Sequence, residues 1–338
     1  MGVLRRLSAL ALVTVVLACE HTTPFSASDY APTTPLSPGN PARLTYNTGA
    51  DYGASWLPDG SAFLYSQEQA APDRDRCFAM MPAGGGSVIR SICPAGDPGG
   101  DSLNAFLAPA VSTGNRIAYV RTAMQAFLGK AGPDNAALVV APFGNPLAAD
   151  VVRALPYVSP SGGSVDLVTD VAWAGPATLV FLAEQVSYPC TNFGCTTADT
   201  VTSGLEIDRL DLGSGSPTLS VVPGTDSAAA VTVGGPDTLY YALGGSLEVH
   251  RRLLSTGADT VVFTLGGTPS GLTAAAGRLA ATVAGSLQLV DLATGTNRVL
   301  RPSGADGPAL SPDGHALVAQ VADSANGFVP DLWLWTVP

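Results

Sequence analysis

Few side chains in this sequence are of a type, or at a spacing, that does covalent chemistry. The three histidines, His21, His250 and His315, stand far apart and make no ligand or triad spacing. No G-x-S-x-G run sets a serine on a strained turn, so a hydrolase nucleophile is not expected. Carboxylates remain: Asp51, Asp101, Asp166, Asp170, Asp226 and Asp306. Two carboxylates facing each other would supply the acid and base of a glycosidase. Unpaired, they would instead attract a cation or a cationic partner. The stretch Asp97-Pro98-Gly99-Gly100-Asp101 has too few ligands for a known calcium loop. No metal and no cofactor is expected.

The elements that would position these acids are internal repeats. Ala54-Ser55-Trp56-Leu57-Pro58-Asp59-Gly60-Ser61-Ala62-Phe63-Leu64-Tyr65 matches Pro308-Ala309-Leu310-Ser311-Pro312-Asp313-Gly314-His315-Ala316-Leu317-Val318-Ala319. Each reads as a strand, a turn and a second strand. Proline presets φ, aspartate bonds the neighbouring backbone, and glycine takes the positive φ that closes the turn. Weaker copies lead into Arg116–Val120, Thr178–Leu182, Thr238–Tyr241 and Arg278–Thr282. With Trp56, Val111, Trp173, Val233, Ala274 and Leu310 taken as equivalent, successive units lie 36 to 62 residues apart. That is the scale of one four-stranded propeller blade.

Most units continue with a third and a fourth strand, as in Ser286–Asp291 and Asn297–Leu300. The last unit stops after its third, Asp331–Val337. Ala42–Tyr46 is expected to supply the missing strand, which removes an open edge. The prediction is an all-β, six-bladed propeller over residues 42–338, closed by an N-terminal strand that completes the last blade. Asp51, Asp170, Asp226 and Asp306 precede innermost strands and are expected to gather on one face of the central channel. Three insertions, Ser66–Arg76, Thr122–Asn135 and Gln185–Ser203, follow second strands and protrude on one face. Phe127, Tyr188 and Phe193 are their candidate binding aromatics, because loops on a rigid scaffold carry much recognition.

Composition agrees with this reading. Charged residues are only 13% and hydrophobic ones 46%, which excludes a disordered chain. The 38 glycines and 27 prolines argue against long helices and for many turns. Sixteen basic residues face 27 acidic ones, so no basic stripe exists for nucleic acid.

WLPDGSAFLYS and LSPDGHALVAQ resemble the repeat of TolB-like, or WD40-like (PD40), β-propellers. That resemblance implies the fold over residues 42–338 and leaves the function open. Members bind periplasmic proteins, bind or cleave glycans, or serve as accessory domains of prolyl-oligopeptidase-like peptidases.

The N-terminus points to export. Arg5 and Arg6 precede an apolar run, Leu7–Ala18, of signal-peptide length and too short to span a bilayer comfortably. It ends Val16-Leu17-Ala18-Cys19, which resembles the lipobox of bacterial lipoproteins. The resemblance implies cleavage of residues 1–18, lipid on Cys19, and a place in the cell envelope, outer membrane first. The net charge then moves from −11 to −13. Residues 19–41 are rich in Pro, Ser and Thr and read as a tether, extended to roughly 70 Å at about 3.1 Å per residue. In an oxidising compartment Cys77–Cys93 and Cys190–Cys195 are the expected disulfides, the first across a hairpin turning at Gly84-Gly85-Gly86. A four-cysteine zinc site is the alternative, against which stands the absence of CxxC spacing. The expected function is a tethered, non-catalytic module for an envelope protein or peptide, touching the membrane through its lipid alone. The alternative is a propeller that binds or processes glycans.

Overall fold

The computed structural model describes residues 41–69, 75–94, 102–125, 132–155, 163–188, 201–213, 216–322, 324 and 327–338. The lipidation candidate Cys19, together with Phe127, Cys190, Phe193 and Cys195, lies outside the described residues.

The chain is all β. It opens with β1 (Ala42–Arg43), then β2 (Asp51–Trp56), β3 (Ala62–Glu68), β4 (Arg76–Pro82) and β5 (Arg90–Ile92). Next come β6 (Ser102–Val111), β7 (Arg116–Gln125), β8 (Gly132–Pro142) and β9 (Asp150–Leu155). A third set is β10 (Gly163–Trp173), β11 (Thr178–Tyr188), β12 (Val201–Asp211) and β13 (Thr218–Val221). It is followed by β14 (Ala228–Gly235), β15 (Thr238–Leu243), β16 (Glu248–Leu253) and β17 (Asp259–Thr264). The last seven are β18 (Pro269–Ala275), β19 (Arg278–Val283), β20 (Ser286–Asp291), β21 (Thr296–Arg301), β22 (Ala305–Leu310), β23 (Ala316–Val321) and β24 (Asp331–Thr336).

These strands make a β-propeller. Four of its sheets are separate, four-stranded and antiparallel: β10–β13, β14–β17, β18–β21, and β22-β23-β24 with β1 added outside β24. The other eight strands, β2–β9, form one hydrogen-bonded sheet in which a single parallel pair, Arg76 with Ala105, links β4 to β6. The first strand of each set packs beside the next: β2 by β6, then β10, β14, β18, β22 and back to β2.

Local chemistry explains the hairpins. The Gly60 N–H donates to Leu57 O at 2.9 Å, and Gly60 has φ +71°. Asp59 Oδ1 accepts from the Ser61 N–H and hydroxyl at 3.0 and 2.7 Å. Those bonds hold the Asp59 carboxyl below its ordinary value. Asp313 does the same with Ser311 and His315. The Cys77–Cys93 disulfide ties β4 to the chain just past β5, across the expected hairpin.

The core lies between neighbouring sheets. Leu64, Phe78, Phe106 and Tyr119 fill the space between β3–β5 and β6–β8. Leu44, Trp56, Phe63, Val318 and Leu334 fill the one where the chain's two ends meet. Outermost strands contribute little: every residue of β13 is exposed. Apolar burial is concentrated in the second and third strands, such as β3, β19, β20 and β24, which pack on neighbouring sheets and so lack alternating polarity.

Candidate functional site

The innermost strands enclose a cavity of about 360 Å³. Short segments of β2, β6, β10, β14, β18 and β22 line it. Its wall is mostly small and apolar, with Ser55, Thr232 and Thr273 as hydroxyls and Asp170 as the one charged lining residue.

Each innermost strand carries an extra residue relative to its partner, a β-bulge, two to four residues ahead of its aligned position, and β14 carries a second at its end. In four of them a residue takes left-handed φ: Gly53 (+58°), Ala108 (+49°), Asp170 (+50°) and Gly307 (+53°). A bulge bends the strand and re-aims the side chain beside it. Aligned on Trp56, the positions equivalent to Gly53 are Ala108, Asp170, Ala230, Gly271 and Gly307. Five of the six are Gly or Ala, and one is an aspartate.

Asp170 Oδ2 accepts the Val231 N–H at 3.3 Å, a long bond to the neighbouring inner strand. Burial pushes its carboxyl up to about 7, opposed by that bond and reinforced by the charge of Asp306. Asp306 is exposed, and its Oδ1 accepts the hydroxyls of Ser270 at 3.2 Å and Thr282 at 3.1 Å.

The other two expected acids sit elsewhere. Asp226 is exposed in the turn between β13 and β14. Asp51 is fully buried where the chain's ends meet and does not line the cavity. Its backbone N–H donates to Pro330 O at 2.9 Å, and Asn47 Nδ2 donates to its Oδ1 at 3.3 Å. Burial lifts the Asp51 carboxyl to about 7; bonds from Thr45, Asn47 and Gln67 lower it, and the charge of Asp331 raises it. Asp331 itself pairs with Arg43 of β1 at 2.6 Å. Counted back from the aligned Trp56, Trp173, Val233 and Leu310, the four acids lie five, three, seven and four residues away. They therefore occupy different heights, and only Asp170 reaches the cavity wall.

Tyr188 ends β11. Much of what reads as loop insertion is extended strand. β6–β8 and β10–β12 run 10 or 11 residues each, against six in each of β22–β24. Four or five more residues at about 3.3 Å each make two neighbouring sheets stand roughly 15 Å taller than the rest.

Two tryptophans at the far end of the inner strands are ties. Trp56 Nε1 donates to Ala309 O at 2.9 Å and Trp173 Nε1 to Ala110 O at 3.0 Å. Each bridges to the inner strand before it in the ring. Sequence reading missed both bonds, although the recurrence of Trp at aligned positions was their signal. It also missed the cluster on β15–β17, where Tyr241 stacks on His250 and Asp259 takes bonds from Tyr241 (2.5 Å) and Arg252 (3.4 Å). That cluster holds strands of one sheet together, away from the cavity.

No family model and no curated protein sequence matches the chain. Solved structures do match. An oligogalacturonate lyase from Vibrio parahaemolyticus aligns at TM-score 0.50 and 11% identity, over 88% of this chain and 93% of its own. A calcium-binding protein, regucalcin, from Agrobacterium tumefaciens aligns at TM-score 0.50 and 13% identity, over 86% and 92%. A putative TolB from Agrobacterium tumefaciens aligns at TM-score 0.46 and 11% identity, over 86% and 91%. The two matches at TM-score 0.50 show, at these identities, a likeness of fold: the chain is a β-propeller.

Proposed function

We propose that this chain is a six-bladed, non-catalytic propeller that binds a protein or peptide segment at its central channel, held to the cell envelope by lipid on Cys19. The six-blade count takes β2–β5 and β6–β9 as two blades, since one residue pair alone links them. Six innermost strands in a closed ring, with apolar packing between each neighbouring pair, support that count.

The cavity carries the functional reading. It is lined mostly by small apolar groups and, among the described residues, has one carboxylate rather than a facing pair. Acid–base cleavage of a glycan needs two carboxyls at a set separation. The aromatic faces that would stack on sugars are engaged: Trp56 is buried, and Arg116 lies 5.4 Å from the Trp173 ring centroid. Side chains of a peptide fit such a slot, and the taller blades flank one side of it.

Selection of random dodecapeptides on the full chain tests the reading. The expected outcome is an enriched set that Ala172→Trp, which fills the channel, no longer binds. Equal binding by that variant would place recognition elsewhere. For the anchor, Cys19→Ala is expected to move the protein from the membrane to the soluble fraction; unchanged retention overturns the lipid attachment.

A further inference from the structure

We infer that the channel selects a segment bearing a basic residue, a lysine ammonium or arginine guanidinium, with Asp170 as the group that receives it. This rests on the peptide-binding reading above and names the chemistry of the partner.

Three observations converge. First, among the described residues Asp170 is the one ionisable side chain on the cavity wall. Second, it stands out among four left-handed bulge positions on the cavity wall, Gly53, Ala108, Asp170 and Gly307, the other three of which are Gly or Ala. Small residues keep those positions open, so one carboxylate stands where the other three leave free space. Gly53 and Gly307 adopt the same left-handed backbone without a side chain, so the bulge does not require an aspartate. Third, the carboxylate is underused. Its Oδ2 takes one 3.3 Å bond from Val231, and Oδ1 has no hydrogen-bond partner among the described residues.

A carboxylate removed from water without a counter-charge is costly, and an opposite charge brought to it restores the lost stabilisation. Asp306 adds a second negative charge close enough to act on it, and among the described residues no basic side chain lines the cavity to offset the two. The apolar wall beneath suits the methylene stem of lysine or arginine, which packs on hydrocarbon while its head stays at the acid. The partner's basic residue is thus both steered and held.

The test uses the peptides enriched on the full chain. They are expected to share a Lys or Arg, and replacing it with norleucine should weaken binding by about thirtyfold or more, as loss of one partner of a desolvated charge pair does. Asp170→Asn and Asp170→Gly should each produce a similar loss, while Asp226→Asn leaves binding unchanged. Asp170→Gly guards against misfolding, because glycine already occupies the equivalent sites. Its melting temperature should not fall below that of the parent. Enriched peptides without a basic residue, or binding that survives both Asp170 variants, overturn this inference and leave the peptide reading standing. If no peptide is enriched, both fall together.

Discussion

Asp51 and Asp170 are two carboxyls of the same propeller, both lifted to about 7 by burial, in opposite settings. Asp51 is sealed where β1 joins β24, surrounded by Thr45, Asn47, Gln67 and Asp331. Asp170 stands on a cavity wall with one long bond. A similar energetic penalty thus serves structure at the seam and leaves an open valence in the channel. A raised pKa alone does not mark a site; what the freed oxygen faces decides.

That contrast is open to experiment, and the largest effect should come from the seam. Deleting residues 42–46 removes the fully buried Leu44 and takes Arg43 from Asp331. A core leucine and a buried ion pair together point to a loss of about 5 kcal/mol or more, read in chemical denaturation. An unaffected midpoint would mean that β1 does not close the ring.

Proton linkage comes next. Asp51 holds its proton more tightly folded (about 7) than at its ordinary value of 3.8. Its contribution is therefore complete below about pH 4 and is lost as pH rises through about 7, an effect of about 4 kcal/mol. Stability should fall between about pH 4 and 7 and level off above. Asp51→Asn should flatten that slope, and an unchanged slope would show that Asp51 is ionised throughout.

Smaller effects belong to the inner ring. Trp56→Phe keeps the packing but leaves Ala309 O without its indole donor, and should lower stability by about 1–3 kcal/mol. Asp170→Gly should not lower stability at neutral pH, since it gives up one weak bond and relieves both a left-handed φ and a desolvated carboxylate. A large loss there would recast Asp170 as a seam residue like Asp51.

The sequence made the hairpins legible because Pro-Asp-Gly chemistry is local: Asp59 and Asp313 bond within two residues of themselves. The closing strand was legible for a different reason, since Asp331–Thr336 needed a partner on its outer edge and Ala42–Arg43 was free to be it. The bulges were not legible. An extra residue in an inner strand leaves no mark in a hydrophobic pattern, yet it sets which side chain meets the channel. This is why Asp51 and Asp170, each just ahead of an apolar run, could not be told apart. Their difference of two positions relative to the aligned tryptophans separates a sealed seam from a cavity wall.

The two-residue β1 also has a mechanical meaning. The ring's join lies within a sheet, along the Ala42–Leu334 and Arg43–Trp333 pairs, rather than between two apolar faces. Load arriving along the N-terminal chain meets that short ladder first. The molecule should yield there by peeling one strand, as a fuse does, with the inner strands and the cavity they line still intact.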